Sequence, residues 1–334
     1  MSEIVSGVHE IQTEAKKFVF EKLIPPLRLK IVESPSSDEA KALDNKGKWA
    51  EAADHFYTLS QIEKDPGIKA DNLIDLSQIL INLTRFGQAK EFLSKAEMLS
   101  SLGTEKNKNL FLKARVNEKL AWISDYEGDY EGSLARLAEA QESLEKISET
   151  GDLENKVENV LSTVTHFKGR AHFGLGSQGK NIQENINQSV SFFNLDLESF
   201  REMRQNGNPK PANEGYQHGW LARCHITLGD FSKAKLELEE TKKLFEEFTQ
   251  LNPDSGILAH YYDLQGELFM KQGRSADARS SFEASLGVRY TKERYPMGET
   301  RSLLAIALTH WAEGNLGKAG FYVLKALGTL TAKA

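Results

Sequence analysis

The chain has 334 residues, 40% of them apolar and 27% charged, and 42 Lys plus Arg against 48 Asp plus Glu leave a net charge of -6. That balance is the composition of a soluble folded protein, and with no Lys/Arg run of nucleic-acid type, DNA and RNA are not expected partners. No stretch approaches ~18 uninterrupted apolar residues, so no membrane span is expected, and the single cysteine, Cys224, cannot form an internal disulfide, which points to a reducing, cytoplasmic setting.

Residues 1–35 stand apart from the pattern that follows. Ile4, Val8, Ile11, Ala15 and Phe18 line one helical face before Pro25-Pro26 interrupts it, so this stretch is expected to be an N-terminal helical segment. Its opening, MSEIVSGVHEIQTEAKK, carries acids and no apolar core segment, and does not read as a signal peptide.

From residue 36 onward, short turns separate segments of helical periodicity: NKGKW, LTRFG, YEGDY, LGDFS, KQGRS and AEGNL. Each turn position (Gly47, Thr84, Gly128, Gly229, Gly273, Gly314) lies seven residues after a small residue, respectively Ala40, Ser77, Ala121, Ala222, Gly266 and Ala307. Twelve residues after each of those stands a second small residue: Ala52, Ala89, Ser133, Ala234, Ala278 or Ala319. Four further on comes a large apolar one: Phe56, Leu93, Leu137, Leu238, Phe282 or Val323. A small side chain on each helix of a hairpin lets two backbones approach, and the large one a turn later fills the groove beside them. The residue two past the turn (Trp49, Phe86, Tyr130, Phe231, Leu316) wedges the pair, Ser275 being the exception. Six registers predict six helix hairpins.

A seventh, irregular unit is expected between residues 141 and 222. Gly169 takes the small position and Gly176 the turn, while Ser189 and Phe193 keep their spacing only with an insertion of about eight residues near 177–184. The same stretch, GLGSQGKN, matches G-x-G-x-x-G through Gly174, Gly176 and Gly179, and G-x-x-x-x-G-K through Lys180, with Asn181 where a hydroxyl should follow. A phosphate loop needs a strand before it. KVENVLSTVTHFKGRAHF is helix-periodic instead, so these glycines read as punctuation.

The last segment, GKAGFYVLKALGTLTAKA, is apolar on several faces, although a terminal repeat needs a polar outer face. A homodimer or a further stretch of chain is the expected cover.

This register resembles the tetratricopeptide repeat, most closely in GWLARCHITLGDFSKAKLELEETKKL with Leu221-Ala222, Gly229-Asp230-Phe231, Ala234 and Leu238. The resemblance spans residues 36–334 and implies an all-α, right-handed solenoid of about seven hairpins. The repeats exceed the usual spacing of about 34 residues, which resembles the long-period helical regions of STAND-type signalling ATPases and of Gram-positive peptide receptors. Within residues 1–35, VHEIQTEAKKFVFEKL similarly resembles the helix leading from a winged-helix element into such repeats.

No catalytic, metal or cofactor constellation emerges. His172, His225 and His310 share one slot, three residues after the small position, where the family packs an aromatic side chain. Cys224 and His225 are adjacent and point about 100° apart on a helix. Runs such as LELEE and FEEF are solvated faces. A non-enzymatic scaffold is therefore expected, binding a protein or peptide along the concave face of first helices, or alternatively sensing a small effector within a STAND-type regulator.

Carrying the family's groove offsets onto this chain nominates Glu118, Trp122 and Tyr126, then His166, Arg170 and Phe173. Further along, the same offsets give Arg223, then His260, Asp263, Glu267 and Met270, and finally Arg301 and Trp311. Arg170 and Arg223 hold one groove position in successive units, as arginines that fork onto a ligand carboxylate or phosphate would, or that pair with Glu118 and Glu267.

Overall fold

A computed structural model describes residues 26–148, 151–293 and 296–332, and the helical face expected through Ile4 to Phe18 lies outside them. Among the described residues there are fourteen α-helices and no strand, so the chain has an all-α, tetratricopeptide-like repeat fold. It divides into two compact units, one reaching Lys180 and the other beginning at Asn181.

In the first unit, α1 (Ser37–Asn45) pairs with α2 (Trp49–Ile62), α3 (Pro66–Asn82) with α4 (Phe86–Ser100), and α5 (Lys106–Glu127) with α6 (Tyr130–Glu145). A 3-10 turn, Gly151–Leu153, then leads into α7 (Glu154–Ser177), which packs on α5 and α6. The second unit opens with α8 (Ile182–Gln205). Three hairpins follow it: α9 (Pro211–Leu228) with α10 (Phe231–Leu251), α11 (Leu258–Lys271) with α12 (Ser275–Val288), and α13 (Pro296–Ala312) with α14 (Leu316–Ala332).

The turns explain why the helices stop where they do. Gly47, Thr84, Gly128, Gly229, Gly273 and Gly314 all have φ between 62° and 86°, the left-handed geometry that closes a helix C-terminus. In the GDY and GDF turns the next residue acts at once as a cap. Asp129 accepts from the Gly132 amide at 3.0 Å and Asp230 from the Lys233 amide at 3.1 Å, so two residues end one helix and start another.

The packing register holds on both helices of each hairpin. Ala40, Ala52, Ala121, Ala222 and Ala234 are fully buried, as are Ser77 and Ser133. Phe56, Leu93, Leu137, Leu238 and Phe282 fill the adjoining grooves, each such burial stabilising the fold by roughly 1.5–3 kcal/mol. Val323 departs from the pattern at 39% exposure. It shares α14 with the exposed Leu316, Phe321, Leu324 and Leu327.

The turn glycine of the irregular unit is Gly179 (φ 84°), not Gly176, which lies buried inside α7. The Gly179 amide bonds to the Gly176 carbonyl and the Lys180 amide to the Leu175 carbonyl, repeating the closure seen at Gly128 and Asp129. The extra residues expected as an insertion are divided between a longer end of α7 and a longer start of α8. Continuing a helix satisfies its backbone groups internally, whereas a loop would leave them to be satisfied elsewhere.

Before α1 the chain is extended and tied to second helices by side chains that read its backbone. The Leu27 amide donates to Gln88 Oε1 at 2.9 Å, and Gln88 Nε2 returns a bond to the Leu27 carbonyl at 3.0 Å. The Lys30 amide donates to Asp54 at 2.7 Å, the Val32 amide to Thr58 at 3.0 Å and the Ser36 amide to His55 Nδ1 at 3.2 Å.

Candidate ligand-binding faces

The first helices of successive hairpins touch one another, α3 on α5, α5 on α7, and α9 on α11. Each unit therefore presents a row of first-helix faces; the nominated residues from Glu118 to Met270 lie on these helices, while Arg301 and Trp311 lie on α13.

In the first unit these residues assemble an aromatic wall with a cation set into it. The Trp122 ring lies 6.5 Å from Tyr126 and 4.9 Å from Phe167, and His166 stands edge-on to Phe167 at 5.5 Å. The Arg170 guanidinium stacks 4.6 Å from the Phe167 centroid and 5.3 Å from that of Tyr126. Its counter-ion is Asp125, from α5. Burial alone would disfavour the Arg170 cation, but Asp125 and Tyr126 outweigh it and lift the pKa above the ordinary value. Glu118 is buried and engages Lys119 at 2.8 Å. The Trp122 Nε1–H is buried and has no hydrogen-bond acceptor among the described residues. Phe173 is half-buried farther along α7.

In the second unit the nominated residues form a charged cluster. Arg223 on α9 forks onto Glu267 of α11 at 2.8 and 2.6 Å and lies 4.9 Å from the Trp220 ring. One turn earlier on α11, Asp263 accepts from Arg289 at 2.8 Å and from the Ser302 hydroxyl at 3.3 Å. Arg289 and Asp263 are only 1% and 3% exposed. His260, another turn back, packs edge-on to Tyr216 at 5.1 Å. Burial, together with the positive Arg289, Arg301 and Arg223, holds its pKa well below the usual histidine value. Arg301 is exposed on α13 and within electrostatic reach of the same cluster, whereas Met270 packs into the α12–α14 core and Trp311 stands 65% exposed.

Both nominated arginines are thus occupied by carboxylates of the chain itself. Glu267 was one of the partners the sequence offered, but Asp125 takes the place expected of Glu118. Arg289, Asp125 and Phe167 belong to these faces and were not among the nominated residues. The first follows a second helix, in a π-helical turn (Arg289–Glu293), and the register does not reach it.

GLGSQGKN is explained residue by residue. A Cβ on Gly174 would meet the Tyr130 ring at 2.4 Å, Gly176 is buried in α7, Gly179 makes the turn, and Lys180 pairs with Glu131 at 2.7 Å. The element before it is a helix, which is not the strand that a phosphate loop requires. Cys224 is buried beside Ser189, at 3.3 Å, and burial raises its thiol pKa to about 12. That value suits a packing residue and not a nucleophile. Among the described residues no group of three or more His, Cys, Asp or Glu could hold a metal, and no helix is long and apolar enough to cross a membrane. A cavity of about 720 Å³ in the first unit, lined by Leu27, Tyr57, Phe92 and Met98, lies between the extended segment and the second helices, away from the nominated residues.

No protein-family model matches this chain, and no curated protein matches it. Solved structures do. A Rap protein complexed with competence and sporulation factor superposes with a TM-score of 0.66 at 13% identity, over 89% of this chain and 75% of that one. Aspartyl phosphate phosphatase F from Bacillus subtilis gives 0.59 at 14% identity, over 88% and 68%. The apo form of the quorum sensor NprR from B. thuringiensis gives 0.50 at 15% identity, over 87% and 74%. The likeness is one of fold: all are helical-repeat proteins of tetratricopeptide type.

Proposed function

We propose that this protein is a non-catalytic scaffold that holds an extended peptide or protein segment against its first-helix faces. The observation that carries the reading is the Trp122 indole. Its buried N–H has no acceptor among the described residues and sits in an aromatic wall stiffened by Arg170. An unsatisfied buried donor costs about 1–3 kcal/mol, and because this N–H is closed to solvent in the free protein, a ligand carbonyl offsets that cost by drawing the indole toward the face. Stacked aromatic side chains give such a carbonyl a low-entropy surface beside which to dock. In the Rap protein complexed with competence and sporulation factor, a chain of this fold holds a ligand, which supports the same use here.

In this reading Arg170 and Arg223 shape the faces from within, because Asp125 and Glu267 already occupy their forks. The fold likeness to a quorum sensor also favours a sensing role, in which occupancy of the faces is relayed to a partner. Selection from a displayed library of random extended peptides tests the proposal. Enriched peptides are expected to bind wild type about three- to tenfold more tightly than Trp122→Phe, which keeps the ring and removes the donor. An absence of enriched peptides, or equal affinity for both proteins, contradicts it.

A further inference from the structure

The last hairpin leaves bare a face that the earlier hairpins of the second unit cover. The positions three before and four after the small residue of each first helix are Gly219 and Ile226 on α9, and Asp263 and Met270 on α11. α11 closes over the first pair: Ile226 packs on Leu264 and Leu268, and a Cβ on Gly219 would meet Leu264 at 2.9 Å. Of the second pair, Asp263 is buried against Arg289 and Met270 packs into the α12–α14 core. On α13 the same two offsets hold Leu304 and Trp311, which stand 41% and 65% exposed, with Leu308 exposed between them. The second helix continues the patch. Leu316, Val323 and Leu327 line one side of α14, and all three are exposed. Gly320 lies in the same row, and a Cβ there would meet nothing of the chain itself. A glycine inside a helix costs stability, and the packing of the hairpin gives no reason for this one.

We infer that this face is the contact between two copies of the chain, joined about a two-fold axis with their α14 helices antiparallel. A two-fold interface brings a patch against itself with its direction reversed, so the patch must be self-complementary. The α14 row has that property. Its members are spaced by four, three and four residues from either end, and reversal sets Leu316 against the partner's Leu327 and Val323 against the partner's Gly320. Val323 then enters the gap that the absent glycine side chain leaves, as a knob enters a hole. Lys318 and Lys325 fall on the opposite side of α14, so the contact does not press like charges together. The area agrees. With about 150–250 Å² for a fully exposed large side chain, the six apolar residues offer roughly 600 Å² per copy at their observed exposures. A standard interface buries about 800 Å² per partner, about 65% of it apolar in homodimers, so a dimer of ordinary size needs about 500 Å² of apolar surface. Trp311, nominated for the ligand groove, belongs to the contact between copies in this account.

Sedimentation equilibrium of the 334-residue chain tests it without any ligand. Across about 0.1–100 µM, the mass is expected to reach twice 37.4 kDa and stop there, because a two-fold contact is closed. Gly320→Arg fills the gap while touching nothing of its own chain, and Leu308→Lys sets a charge within the patch. Each is expected to weaken dimerisation at least about tenfold. Leu236→Arg, at an exposed leucine on α10, is expected to leave it unchanged. Gly320→Arg should keep the helical circular-dichroism spectrum of wild type, which separates loss of the contact from loss of the fold. A wild-type protein that holds the mass of one chain at every concentration would overturn the inference and leave the face to a different partner or a further stretch of chain. Dimers that persist in both Gly320→Arg and Leu308→Lys would overturn it as well, as would assemblies that grow past two copies.

Discussion

Arg223 and Glu267 meet edge to edge, the guanidinium Nε donating to one carboxylate oxygen at 2.8 Å and Nη2 to the other at 2.6 Å, across the α9–α11 contact. The two ends of this pair differ in surroundings. The Arg223 side chain is largely buried and stands near Arg301, while Glu267 retains more contact with water.

That asymmetry predicts unequal costs. Glu267→Gln strands a buried cation next to another arginine and should cost about 1–3 kcal/mol, whereas Arg223→Met leaves a carboxylate that water can reach and should cost less, about 1 kcal/mol. Urea unfolding of both variants checks the order.

A harsher test lies one turn away. Asp263 and Arg289 are buried together, so Asp263→Ala takes a buried counter-ion away from the Arg289 guanidinium and is expected to cost about 3–5 kcal/mol. The double variant Asp263→Leu with Arg289→Met should be more stable than Asp263→Ala alone. Denaturation midpoints of the three proteins decide this.

Two glycines on neighbouring helices should respond in opposite directions to alanine. A Cβ on Gly266 would meet the Phe282 ring at 2.4 Å, so Gly266→Ala should destabilise by about 1–3 kcal/mol. Gly287, in α12, has no side chain or neighbouring helix within reach of a Cβ, and Gly287→Ala should stabilise by about 0.5–1 kcal/mol. Thermal unfolding reads both changes.

The contrast also marks how far the sequence could be read. Gly266 was assigned its packing role because its offset from Gly273 recurs in five other hairpins, and a repeat is visible in one chain whenever the same steric need recurs. Gly179 was missed because α7 is longer than its counterparts. Two glycines three residues apart could each end the helix, and helix length leaves no mark at a single position. Asp125 and Arg289 escaped for another reason. An ion pair between residues 45 apart, such as Arg170 with Asp125, depends on which rotamers meet once the helices have packed. The docking of Leu27 and Lys30 on Gln88 and Asp54 was likewise illegible, since side chains that bind backbone leave no pattern in the segment they hold.

Acidification should weaken the second unit through its histidines. His260, His225 and His310 are all held below the ordinary histidine pKa, burial being the leading cause in each case. The unfolded chain takes up protons below about pH 6.5 while these folded imidazoles stay neutral, so their contribution is fully present above that value and declines as pH falls below it. His260→Asn cannot titrate there, and its stability curve between about pH 7 and pH 5 should be shallower than that of wild type. Parallel slopes in chemical denaturation across that range would contradict the assignment.

The most direct test of binding by the first-helix faces is hydrogen–deuterium exchange of the wild-type protein with and without a selected peptide. Added protection should concentrate in α5 and α7, in α9, α11 and α13, or in both groups. Protection confined to the second helices α4, α6, α10 and α12, with the first helices unchanged, would contradict the account.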